Sequence, residues 1–233
     1  TARQPAPVAG APARAARRAP RGLPDAVDEQ HRSALGLLKA KLVRRLGLTG
    51  ALAAIGRGRR VVSSVEATIT HTVNDTVNEA ITQQIRNAGA KKVWVSERDA
   101  CTACLAYAGL VVDEGADFPG GLNWDPGQRG RTRPVKTPPR HPNCRCRVAA
   151  WRDEWAVPGV PAMPEVLQRE ARRSVARGWS LPSESNAARI RAARELVRTG
   201  PRLPKSVVEF AADAVRAGRF ENRNFPATGP GAG

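Results

Sequence analysis

The chain has 233 residues and a formal net charge of +17, with 41% hydrophobic, 25% charged and only 4% aromatic residues. That length serves one or two domains with a modest core, and the apolar and charged shares are those of a soluble protein. No apolar run approaches the ~18 residues of a membrane-spanning helix, and residues 1–24 contain no apolar segment of the kind a secretory leader needs.

The charge is carried by 32 Arg against 6 Lys. Arginine forks match phosphate oxygens, and such contacts are salt-dependent and blind to base sequence, so a polyanion is the expected partner class. A basic surface with no dedicated partner is the plain alternative. With so few aromatic residues, the core is expected to be built from Ala, Val, Leu and Ile.

Residues 1–24 read as an extended or disordered basic tail: Arg3, Arg14, Arg17, Arg18 and Arg21 stand among Ala, Pro and Gly with no acidic residue. Residues 25–57 read as helical, with Leu35, Leu38, Leu42 and Leu46 on one face, interrupted at Gly47 and Gly50 and closed by Gly56 and Gly58. A second helix is expected from about 59 to 88. Its stripe of Val62, Val65, Ile69, Val73, Val77, Ala80, Ile81, Ile85 and Ala88 is expected to be core, and Gly89 to stop it.

Residues 92–96 alternate as a short strand, 110–112 form a second candidate, and 145–151 a third. Between them, residues 119–140 form a loop rich in Pro and Gly that carries Arg129, Arg131, Arg133, Lys136 and Arg140, the candidate contacts for nucleic acid or another polyanion. After Pro158, three short helices are expected at about 164–177, 184–199 and 205–217. Gly178, Ser183 or Ser185, Gly200-Pro201, Pro204 and Gly218 punctuate them. Residues 222–233 read as a flexible tail.

The chemistry lies in four cysteines and one histidine. Cys101 and Cys104 form a Cys-x-x-Cys turn, which sets two sulfurs on one side of a knuckle whose backbone N–H groups can stabilise their charge. The run His141-Pro-Asn-Cys144-Arg-Cys146 can supply the other half of a tetrahedral site, and a bound metal would then pin the basic loop between the two halves. Five candidates compete for four places. The first set is Cys101, Cys104, His141 and Cys144, with Cys146 buried, because on a strand Cys144 and Cys146 point to opposite faces. The second is Cys101, Cys104, Cys144 and Cys146. Either is a closed structural site, for which zinc suits the ligand softness and geometry. Unmetallated thiols and disulfides across the same gap are the alternatives, and a reducing assembly compartment favours metal over disulfide.

The segment Val61 to Trp151 resembles the Mu F-like minor head proteins of the phage head morphogenesis family. The matching residues are Trp94, Asp99, Cys101, Cys104, Gly109, Pro138, Pro139, His141, Pro142, Cys144, Arg145 and Cys146. Asp99 stands one position nearer Cys101 than the family pattern has it, and the loop from Phe118 to Thr137 is longer and more basic than usual. The resemblance covers about ninety residues and implies a structural minor capsid protein rather than an enzyme. Its implied partners are the portal protein, the major capsid or scaffold protein and packaged double-stranded DNA, bound without sequence specificity. Neither a membrane nor a small-molecule substrate is expected. The implied location is the capsid interior or portal vertex of the virion, with the host cytoplasm as the site of assembly.

Two rivals differ in class. One is a zinc-ribbon module that binds nucleic acid, for which Trp124 is the main candidate for base stacking. The other is a metal-dependent nuclease, which needs a general-base histidine and further ligands. The remaining histidines, His31 and His71, read as a solvated and a packed helix residue. The expected architecture is α+β: long amphipathic helices leading into a small Cys/His-clasped β module over residues 25–157, then a helical extension over 158–221.

Overall fold

A computed structural model describes residues 28, 32, 40–179, 184–200 and 203–221. The expected tails at 1–24 and 222–233, and the leucine side chains at 35, 38, 42 and 46, lie outside the described residues. The chain divides into two units: residues up to Ala80 together with His141–Asn143, and Ile81–Arg140 together with Cys144–Gly233. The fold is mixed α+β, with helices and one three-stranded antiparallel sheet.

Helix α1 (Ala40–Asn87) runs through both expected helices without ending at Gly56 or Gly58. The one interruption is Gly47, whose φ of 54° and ψ of −146° are not helical. Glycine costs a helix only about 1 kcal/mol, so an unbroken run of turns absorbs Gly50, Gly56 and Gly58. In the first unit the expected apolar stripe is not core: Ile69, Val73 and Val77 are 45%, 53% and 40% exposed. Asn74 and Asn78 are buried instead, and the Asn78 side chain donates to the Asn74 carbonyl at 2.8 Å. In the second unit the same helix does feed the core, through buried Ile85 and half-buried Ile81. Its end is a Schellman closure around left-handed Gly89 (φ 59°). Gly89 N–H donates to the Arg86 carbonyl, and Ala90 N–H to that of Ile85.

The sheet of the second unit has the order β2–β1–β3, with β1 (Lys91–Val95) in the centre, β2 (Val111–Val112) on one side and β3 (Arg147–Trp151) on the other. Trp94 pairs with Val148, and Lys92 with Ala150 and Val112. Against expectation, aromatic residues form the centre of the core. Buried Trp94 packs edge-on to Phe118 and tilted to Tyr107, with ring centroids 5.1 Å apart in both pairs. Aromatic residues are few, but each brings 150–250 Å² of burial, so three suffice to seed a core this size. Lys92 is also buried. Its ammonium donates to the carbonyls of Ala116 (2.6 Å) and Lys136 (2.8 Å), and desolvation pulls its pKa below the usual lysine value.

The basic loop is folded. Phe118 and Val135 exchange backbone hydrogen bonds at its base, and Gly130 N–H reaches the Gly121 carbonyl. A one-turn 3-10 helix, Pro126–Gln128, is capped by buried Asp125, which also accepts two hydrogen bonds from Arg191 at 2.9 and 2.6 Å.

Three helices follow as expected: α3 (Met163–Arg177), α4 (Asn186–Thr199) and α5 (Lys205–Ala217). Gly178 and Gly218 close α3 and α5 in left-handed conformation, and Ser185 caps α4 through a bond from Ala188 N–H. The three are more than an extension. Ala171, Val175, Ala192, Leu196, Val207 and Ala211 share one core cluster with Trp94, Tyr107 and the buried cysteines. Gly109 is one place where the two parts meet closely. It has a φ of 72°, and a Cβ there would lie 2.1 Å from the carbonyl oxygen of Pro164 in α3. Only glycine meets both demands.

The Arg191 guanidinium beside Asp125 holds its carboxyl below the ordinary carboxylate range. A lowered folded value means that the contribution to stability is present above the unfolded pKa of about 3.9 and is lost as the pH falls through the folded value. Because Arg191 is 44% exposed, D125N should cost only about 1–3 kcal/mol in urea unfolding at neutral pH. That difference should shrink on acidification below the unfolded value.

Candidate metal centre

Cys101 ends an extended segment (φ −64°, ψ 159°) and caps the single-turn helix α2 (Thr102–Leu105). Its sulfur accepts the N–H of Cys104 at 3.4 Å, the knuckle geometry that a Cys-x-x-Cys turn is expected to form. Cys104 is buried and its sulfur lies 3.7 Å from that of Cys144. Cys104, Cys144 and Cys146 present three sulfurs that all lie within 4.8 Å of one another and could hold a metal ion. None of the four cysteines is joined in a disulfide.

Cys146 joins Cys144 at this cluster, contrary to the expectation that they face apart. Alternation applies inside a strand, and β3 begins only at Arg147. Both sulfurs can therefore turn the same way. Cys101, Cys104 and His141 are a second set of suitable donor types. His141 belongs, with Pro142 and Asn143, to the first unit, and the geometry of the centre is that of the four thiols of the second.

Crowding three thiols splits their acidities. The Cys144 thiol is lowered to about 2, chiefly because the Cys104 side chain, and then that of Cys146, hydrogen-bonds to its thiolate. Cys104 is raised well above its ordinary value by hydrogen bonds with Cys101, Cys144 and Cys146, with burial adding to them. Cys146 is pulled down by Cys104 but raised on balance by Cys144 and burial. A cation would replace protons on the crowded sulfurs and relieve this competition.

Several groups outside the five candidates hold the two knuckles. Arg145, between Cys144 and Cys146, forms an ion pair with Asp99. Ser96 donates to the Cys104 carbonyl at 2.7 Å and lies 3.7 Å from the Cys146 sulfur. Glu184 accepts both the N–H and the hydroxyl of Thr102 at 2.8 Å, and Arg189 donates to the carbonyl of Ala100. Asp99 and Arg145 stand in the motif. Glu184 and Arg189 carry no sequence signal, being more than eighty positions away.

The five candidate polyanion contacts separate into two kinds. Arg129 pairs with Glu195 at 3.0 Å, and Arg140 lies over the Tyr107 ring (4.1 Å to the centroid) while donating to Thr132. Arg131, Arg133 and Lys136 are exposed. Trp124 is half-buried against the core rather than presented for stacking. His71 is half-buried on α1 in the first unit, and His31 lies outside the described residues.

Comparison with protein-family models, with curated proteins and with solved structures returns no match.

Cys104 belongs to both candidate ligand sets. Elemental analysis of the purified chain should find about one metal ion per molecule, and Cys104→Ser should abolish uptake whichever set operates. Cys146→Ser and His141→Ala separate the sets, since only the true fourth ligand should lose metal.

Proposed function

We propose that this chain is a structural minor head protein of a tailed bacteriophage, positioned near the portal vertex, where it supports head assembly and DNA packaging or ejection. Its Cys/His module is held by one structural zinc ion. The observation that carries this reading is that the motif residues of the second unit are engaged in building one shape. Trp94 centres the core, Asp99 pairs with Arg145, Gly109 admits the backbone of α3, Pro138 is buried, and the thiols converge. A motif spent on its own architecture fits a protein that acts by presenting surfaces.

Zinc suits the donor set. A tetrahedral centre with Zn–S bonds of about 2.3 Å has sulfur–sulfur edges of about 3.8 Å, and Cys104 and Cys144 are 3.7 Å apart. Cys101, Cys104, Cys144 and either Cys146 or His141 would hold the ion. Four protein ligands leave no open position, so the ion would stabilise the fold without taking part in a reaction.

Two surfaces support the proposed partners. The exposed Ile69, Val73 and Val77 recur every four residues on α1, an apolar face suited to a portal, capsid or scaffold subunit. Arg131, Arg133 and Lys136 on the folded loop suit DNA phosphates. The same three residues favour the second reading, a zinc-ribbon module that binds nucleic acid outside a virion.

Mass spectrometry of purified proheads and virions from a phage encoding this chain should find it at low copy number, and it should co-purify with the portal protein. Val73→Glu should leave thermal stability unchanged, because the site is exposed, but should abolish that co-purification. Absence of the chain from both particles, with salt-sensitive DNA binding retained, would replace this reading by the second.

A further inference from the structure

We propose that the buried Glu184–Arg189 ion pair of the C-terminal helices is the positioning device for the Cys101 arm of the metal centre; this rests on the metal reading above. Cys101 is only half-buried and starts a helix of four residues. A single turn fixes several dihedral angles for one hydrogen bond and is not stable by itself. Its entry must therefore be held from outside.

The holding groups bracket Cys101 on both sides. On one side Arg189 donates to the carbonyl of Ala100. On the other, the Glu184 carboxylate accepts both the backbone N–H and the hydroxyl of Thr102. Glu184 and Arg189 are paired with each other, with side chains 12% and 0% exposed. Three bonds thus fix the peptides flanking Cys101, and all come from the first turn of α4 and the residue before its Ser185 cap.

Charged groups in this position are expensive. Desolvating an arginine and a carboxylate costs several kcal/mol per ion before their attraction repays it. An apolar contact would join α4 to the module at lower cost. It could not grip a carbonyl on one side of Cys101 and an N–H on the other, because that task requires a donor and an acceptor linked as one unit. Outer groups of this kind orient metal ligands, and their loss commonly weakens metal binding by about 10–100-fold. Metal binding and docking of the C-terminal helices then stabilise each other by linkage.

The test uses the full chain, with zinc affinity measured by chelator competition and the alkylation rate of Cys101 measured on metal-free protein by mass spectrometry. Glu184→Gln keeps the shape but leaves Arg189 without its counter-charge. It should weaken zinc binding by about 10–100-fold and speed alkylation of Cys101. Thr102→Val, which removes one of the three bonds, should shift both in the same direction by less. It serves as the readout if E184Q does not fold. Val207→Ala, a core truncation in α5, should lower the melting temperature and leave both readouts unchanged on the folded protein.

Wild-type affinity and wild-type alkylation in folded E184Q and T102V overturn the proposal while leaving the metal reading intact. A wild-type chain that binds no zinc overturns the metal reading, and the Cys101 alkylation rates then decide the positioning claim by themselves.

Discussion

Two sulfur atoms forty positions apart in the chain, those of Cys104 and Cys144, lie 3.7 Å apart in the core. Bringing such positions together costs on the order of 3–4 kcal/mol of chain entropy, and thiols crowded with Cys146 cannot all carry charge. The neighbourhood is arranged around that constraint. The Trp94–Phe118–Tyr107 aromatic group, the Phe118–Val135 bridge and the Lys92 ammonium gripping the carbonyls of Ala116 and Lys136 tie parts of the closing segment to one another or to β1. Each helps to hold the two cysteine arms together. A cation at the sulfurs would complete a closure that packing has already begun.

The parts of this arrangement that depend on local chain chemistry are readable in the sequence. Gly89, Gly178, Ser185 and Gly218 end or begin their helices because a left-handed residue or a side-chain oxygen satisfies terminal backbone groups there, a requirement independent of tertiary context. The Cys-x-x-Cys knuckle is local in the same way. What the sequence does not disclose is which surface covers which. The stripe from Ile69 to Ile85 has one period throughout, yet Ile85 is core and Val73 faces solvent, because periodicity defines a face and not its neighbour. Cys144 and Cys146 would point to opposite faces only inside a strand, and β3 begins at Arg147, after both of them.

Arginine use shows the same divide. Nothing local distinguishes Arg189, wholly buried, from Arg131, which is exposed. Arg129, Arg140, Arg145, Arg189 and Arg191 are each engaged with an acid, a carbonyl or an aromatic ring of the same chain. The planar fork with five donors lets one side chain join several backbone segments, which lysine cannot do. A good share of the basic residues therefore serves as internal ties, and the net charge by itself overstates the surface available to a polyanion.

This division bears on how the molecule works. In the second unit the cysteines, the motif acid, the motif arginine and the buried ion pair are each satisfied by another part of the same unit. The sulfurs of Cys104, Cys144 and Cys146 face one another at the centre. Exposed instead are the β-branched row on α1 in the first unit and the three cations of the folded loop in the second. In the proposed structural role, these exposed surfaces would be the ones that meet other macromolecules. Within the second unit, the shape of the cationic loop then depends on how firmly the two cysteine arms that flank it are joined.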